Sequence, residues 1–217
     1  RLISSAASDV YKRQTITLAN NAQTFGGTAA QMKAAFTGGL EGTQTGNVTI
    51  SDTEGTITAT TLTDITGQTN GTVTAAAAGI TISGNTTDLT AALVTTETNA
   101  VVANGKVTIT DTGNVAATVL SAIGNSTGGT VTATGAITVT GTTEEITNAL
   151  VTASKLVVAS NESAAVKFVG DNPTGAQLAL INPKVGGTIT LADNAQVFTG
   201  TAAQMKAAFT GGLEGTQ

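Results

Sequence analysis

Apolar residues are placed along the chain in two alternating rhythms. In one, Val or Ile alternates with Thr over three to five positions, the period of a half-buried strand. Val48 to Ser51, Ile80 to Ser83, Val107 to Thr110 and Ile137 to Thr140 follow it, and Val166 to Val169, with Lys167 and Phe168 inside it, reads as a further strand. Further strands are expected at Val101-Val102 and Val157-Val158. In the other rhythm apolar residues recur at helical spacing. Met32, Ala35 and Phe36 form one such face, followed by Leu89, Ala92 and Leu93, by Ile146, Ala149 and Leu150, and by Met205, Ala208 and Phe209. Shorter helices are marked by Leu62 and Ile65, Leu120 and Ile123, and Leu178 and Ile181.

Punctuation between these runs is regular. A Gly closes a strand at Gly27, Gly84, Gly141 and Gly200. A helix start signal follows each: Thr28 with Gln31, Asn85 with Asp88, Thr142 with Glu145, Thr201 with Gln204. At that spacing the first side chain accepts from the third helical N–H, and the second reaches back to the cap. Gly71-Thr72-Val73-Thr74, Gly129-Thr130-Val131-Thr132 and Gly187-Thr188-Ile189-Thr190 open successive units; Thr15-Ile16-Thr17 opens the first without its Gly. The period is about 58 residues. It divides the chain into a leader over 1–14, units over 15–70, 71–128 and 129–186, and a truncated fourth unit over 187–217.

Strands separated by helices favour parallel pairing through right-handed crossovers. One such unit has too little core to stand alone, whereas stacked units share one. The expected fold is an α/β repeat, a solenoid-like stack of strand pairs and short helices. A row of small separate β-rich domains is the alternative.

Composition narrows the chemistry. Aromatics are 3% and Trp is absent, an unusual economy for a single globular core of 217 residues. Charged residues are 11% and the net charge is -5, with the Lys and Arg scattered, so no cationic patch for nucleic acid is expected. No apolar run reaches the roughly 18 residues of a membrane span. Cys and His are both absent, which removes disulfides, thiolate metal sites and the Ser/His/Asp and Cys/His catalytic sets.

The remaining candidates have bland readings. Glu144 and Glu145 are adjacent carboxylates, but they fall in the first turn of an expected helix, where negative charge favours the dipole. The other units place Thr87-Asp88, Ala30-Gln31 and Ala203-Gln204 there, a variation unsuited to a catalytic pair. Asp52, Glu54, Asp111 and Asp171 follow strands in equivalent turns. Calcium is the functional reading, since hard oxygen ligands in loops suit it, yet no EF-hand or glycine-rich nonapeptide spacing occurs and turns use Asp without metal. Gly38-Gly39 and Gly128-Gly129 lack the phosphate-loop pattern and read as turns and helix C-caps. Thr-x-Thr triplets (Thr56 and Thr58, Thr72 and Thr74, Thr108 and Thr110, Thr130 and Thr132, Thr138 and Thr140, Thr188 and Thr190) resemble the ice-binding ladders of some antifreeze β-solenoids. Thr is also simply a good strand former on a solvated face. The expectation is therefore no enzyme, no catalytic, cofactor-binding or metal site residue, and no cofactor, with calcium as the one alternative.

Gly-Thr-Val-Thr, Val-Thr-Ile-Thr-Asp and Thr-Gly-Thr-Thr-Glu-Glu-Ile, spread over Thr15 to Gln217, resemble repeats of very large adhesin-like bacterial surface proteins of the marine cyanobacterial kind. The resemblance implies an extracellular or cell-surface stalk or spacer whose partners within the chain are its own neighbouring repeats, with any external ligand unknown. A ligand-binding repeat module for calcium, glycan or ice is the alternative function, and an enzyme needs an acidic cluster that the sequence does not offer. Residues 8–14, Ser-Asp-Val-Tyr-Lys-Arg-Gln, resemble a translated sequencing-adapter read-through, which makes the leader non-native. Thr15 to Gln44 and Thr188 to Gln217 match at about nine positions in ten, so both ends read as breaks within a longer parent.

Overall fold

A computed structural model describes residues 15–95, 99–152, 156–157, 164–193, 195–210 and 213. Val158 and the leader lie outside them. The helices are α1 (Ala29–Thr37), α2 (Ala59–Thr66), α3 (Thr86–Leu93), α4 (Ala117–Asn125), α5 (Thr143–Thr147), α6 (Gly175–Ile181) and α7 (Ala202–Phe209). A π-helical turn, Asn148–Thr152, continues α5, and a 3₁₀ turn, Asn182–Lys184, continues α6. Each helix packs against the next in sequence, from α1 through α7.

The strands form three sheets, every pair of them parallel. Sheet I joins β1 (Phe25–Gly27), β2 (Val48–Ile50), β4 (Val73–Thr74) and β6 (Ala100–Val101). Sheet II joins β3 (Glu54–Thr58), β5 (Gly79–Gly84), β7 (Lys106–Ile109), β9 (Val131–Ala133) and β11 (Leu156–Val157). Sheet III joins β8 (Gly113–Ala116), β10 (Ile137–Gly141), β12 (Ala165–Phe168) and β13 (Ile189–Thr190). Neighbouring strands in a sheet are always separated by one helix, so the segment between two helices (a coil, below) feeds more than one sheet. No sheet closes into a barrel among the described residues.

Alternation decides what goes inside. Ile57, Ile82, Val107 and Val131 stand opposite one another along sheet II, and Val115, Val139, Val166 and Ile189 along sheet III. All eight are buried, and they join Leu62, Ile65, Leu89, Leu120, Ile123, Ile146, Leu178 and Ile181 of the helices in one continuous core. Burying an aliphatic side chain contributes about 1.5–3 kcal/mol. Small residues then cover the outside, which explains how so few aromatics suffice.

Gly71 and Gly129 have a steric cause. A Cβ on Gly71 would lie 2.2 Å from the Gly46 carbonyl oxygen, and one on Gly129 would lie 2.3 Å from that of Gly105. At these corners one coil's backbone rests directly on the previous one, and a side chain has no room.

Several expectations are corrected. Strands β3 and β8 occupy stretches read as turn between Asp52 or Asp111 and the next helix. Ala35 is exposed, the buried face of α1 being Ala29, Met32 and Phe36. Phe209 is 42% exposed. Gly38 does cap α1, but Ser126 caps α4, and Gly128-Gly129 instead marks a close backbone approach.

Candidate functional site

Side-chain hydrogen bonds gather at the helix N-termini. The first N–H groups of any helix lack intrahelical partners. In α1 the Thr28 hydroxyl accepts from Gln31 N–H (3.3 Å) and Gln31 Oε1 accepts from Thr28 N–H (2.9 Å). In α3 Asn85 Oδ1 accepts from Asp88 N–H (2.8 Å). In α5 Thr142 and Glu145 repeat the reciprocal pair at 3.3 and 2.9 Å. Glu145 is thus a capping residue, and Glu144 is an exposed carboxylate in the same turn.

A further cap comes from the following coil. Asp52 Oδ2 accepts from Ala29 N–H at 2.6 Å, 23 residues earlier. Asp111 accepts from Thr86 N–H at 2.6 Å and from the Thr86 hydroxyl at 3.0 Å, 25 residues earlier. Asp171 Oδ1 accepts from Thr143 N–H at 2.8 Å, 28 residues earlier. The carboxylates therefore meet the positive end of a helix dipole and staple two coils together. Glu54, the fourth acidic candidate, is exposed on β3. The sequence placed the aspartates in equivalent turns but not their partners. Their recurrence in phase with the capping pairs was the available signal.

Buried hydroxyls staple the corners. Thr69 donates to the Gly46 carbonyl (2.7 Å) and accepts from Gly71 N–H (3.0 Å). Thr127 donates to the Gly105 carbonyl and accepts from Gly129 N–H. Gln44 is fully buried; its Nε2 donates to the Glu41 and Gly42 carbonyls, while its Oε1 and the Thr143 hydroxyl have no hydrogen-bond partner among the described residues. The Thr and Gln corners were missed, although a Thr two residues before the opening Gly recurs at Thr69 and Thr127.

Outward threonines fall into cross-strand rows. Thr58, Ser83, Thr108 and Thr132 stand opposite one another in sheet II, with Thr56, Thr81 and Lys106 beside them. Thr58 is also the N-cap of α2, accepting from Thr61 N–H. Shallow grooves run between successive helices. The one between α1 and α2 encloses about 500 Å³ and is lined by Ala30, Lys33, Ala34, Asp52, Thr56 and Thr61, among others. Lys33 pairs with Asp64 across α1 and α2 at 2.7 Å, with the side chains 42% and 45% exposed, and solvent-accessible pairs contribute little.

Among the described residues no three acidic side chains gather as a metal-holding group, and no helix is long and apolar enough to cross a membrane. No protein-family model, curated protein or solved structure matches the chain. What the arrangement does chemically is join coil to coil.

Proposed function

We propose that this chain is a structural repeat segment, a spacer or stalk, of a large extracellular or cell-surface adhesin-like protein. In this reading the chain is a solenoid-like stack of coils, two to each unit of about 58 residues. The observation that carries it is the aspartate staple, made at alternate helices, α1, α3 and α5, each from the segment that follows. Polar groups so placed resist separation of neighbouring coils and leave few side chains for chemistry.

A spacer must have a definite length per unit, and the packing sets one. Packed helices lie about 8–10 Å apart, whereas strands pair at about 4.8 Å. The strands reconcile the two by slanting. In sheet II β3 ends beside Ala59, β5 ends just before Thr86, β7 ends well before Ala117, and β9 and β11 retreat further from their helices. Each sheet thus drifts away from the helix row while the helices keep their own spacing. Two coils per unit then advance the stack by about 16–20 Å.

The test places one to four units between an outer-membrane anchor and a fluorescent tag on a bacterial surface. The tag height derived from energy transfer to a membrane dye should rise in equal steps as units are added. Tags that stay at one height, whatever the number of units, sink the spacer reading.

The hydroxyl row of Ser83, Thr108 and Thr132 favours a second reading, a ligand-binding module whose ligand is ice. That reading requires the chain to halt ice-crystal growth and Thr108→Lys to abolish the effect. Ordinary crystal growth in its presence removes it.

A further inference from the structure

We infer that the chain carries a self-modification site at Asn104-Gly105, where the Asn104 amide becomes a carboxylate through attack of the Gly105 backbone nitrogen, with water as the co-reactant. Asn is followed by Gly at two places, Asn70-Gly71 and Asn104-Gly105. Glycine offers the least side-chain obstruction to this ring closure, so by sequence the two sites are equals. The Gly105 nitrogen gives its proton to water or hydroxide, and its lone pair attacks Asn104 Cγ. The Cγ–Nδ2 bond breaks and the nitrogen leaves as ammonia, protonated from solvent. Water then opens the cyclic imide at either carbonyl. The product is aspartate or, with the main chain rerouted through the side chain, iso-aspartate.

The fold separates the two sites. Both asparagines are exposed and both glycines are buried. The Asn70 corner is fastened at the reacting nitrogen and on both sides of it. Gly71 N–H donates to Thr69 Oγ1 at 3.0 Å, Asn70 N–H to the Gln44 carbonyl at 2.8 Å, and Thr72 N–H to Asn47 Oδ1 at 2.9 Å. Gly71 also rests on backbone, since a Cβ there would meet the Gly46 carbonyl and the Asn47 nitrogen. At the other corner the fastening is on carbonyls. Gly128 N–H donates to the Ala103 carbonyl at 2.8 Å, and the Thr127 hydroxyl donates to that of Gly105. The Gly105 N–H itself has no hydrogen-bond partner among the described residues. A Cβ on Gly105 would meet side chains, those of Val102 and Ile80, rather than backbone. The Asn104 side chain is held by one long bond, from Nδ2 to the Ala76 carbonyl at 3.3 Å. Freeing the Gly71 nitrogen thus costs a hydrogen bond that Gly105 does not have to break. Modification strikes a coil junction: iso-aspartate inserts an extra main-chain atom between the Ala103 and Gly105 carbonyls, the two acceptors that the next coil uses.

The test incubates the folded full chain in mildly alkaline buffer and, in parallel, in concentrated urea. Peptide mapping by mass spectrometry reads amide loss at each asparagine, and enzymatic methylation of iso-aspartate identifies the product. In the folded chain Asn104 should react at least about threefold faster than Asn70, the cost of one hydrogen bond read as a rate. In urea the two rates should converge, because each asparagine is then simply followed by glycine. Thr69→Val removes the acceptor of Gly71 N–H and should bring Asn70 up toward the Asn104 rate, whereas Thr69→Ser keeps the hydroxyl and should leave Asn70 slow. Hydrogen exchange on chains modified at 104 should show lost protection at the Gly128 amide. Asn70 reacting as fast as Asn104 in the folded chain, no reaction at Asn104 there, or a preference for Asn104 undiminished in urea would each overturn the inference. So would a folded Thr69→Val chain in which Asn70 stays slow, or full protection of Gly128 after modification. The comparison within the unmutated chain decides the matter if Thr69→Val does not fold.

Discussion

Replacing Asp111 by Ala tests whether coils are stapled as described. The substitution removes the acceptor of two bonds from Thr86, one from its N–H at 2.6 Å and one from its hydroxyl at 3.0 Å. A hydrogen bond to a charged group contributes about 1.5–3 kcal/mol, and loss of a helix N-cap costs about 0.5–2 kcal/mol. The two describe the same contacts and do not add. Asp111 is half-buried, so water repairs part of the loss. The expected cost is about 2 kcal/mol, or roughly thirtyfold in a local opening equilibrium. Asp111→Asn keeps an acceptor and loses the charge, and should cost only about 0.3–1 kcal/mol. Native-state hydrogen exchange reads this locally. Amides of α3 should lose about thirtyfold in protection, with the effect fading toward α1 and α6, because repeat stacks couple mainly to nearest neighbours. Unchanged protection in α3 refutes the staple. An equal loss in every helix refutes its locality.

Other substitutions probe the remaining contacts. Gly129→Ala drives a Cβ to 2.3 Å from the Gly105 carbonyl oxygen; it should cost more than about 2 kcal/mol in urea melts, whereas Gly26→Ala, at an open position, should cost well under half as much. Thr127→Val leaves the Gly105 carbonyl and Gly129 N–H without their hydroxyl, for an expected loss of about 1–3 kcal/mol in chemical denaturation. Leu150→Asp buries an unpaired charge at a 2% exposed position and should unfold its unit and loosen both neighbours by several kcal/mol. Unchanged melting of that variant, followed by circular dichroism, speaks against a shared core.

Local chemistry was readable from the sequence where partners are close. Thr142 and Glu145 lie three residues apart, so a capping box could be recognised without knowing the fold. The strand from Ile137 and the helix through Ile146, Ala149 and Leu150 were likewise visible, because their burial follows one period. Strand β3 was not, since Ile57 is its one buried residue and Gly55 interrupts it. Its extended shape comes from pairing with β5, a partner about one coil away in sequence. Asp111 shows the same limit from the polar side. An Asp in a turn has a sufficient local explanation, and its bond to Thr86 exists only once coils stack. Ala35 was placed inward because small apolar residues fit either face of a short helix; the core of α1 turned instead on Met32 and Phe36.

In the reading proposed, these coils form one continuous stack with a fixed advance per unit. Small-angle X-ray scattering tests it on chains in which the unit 71–128 is duplicated once, twice and three times. Continuous stacking predicts that the maximum dimension grows by about 16–20 Å per added unit while the cross-section stays constant. Growth that weakens with each added unit, as for flexibly joined separate domains, or a thickening cross-section would contradict it.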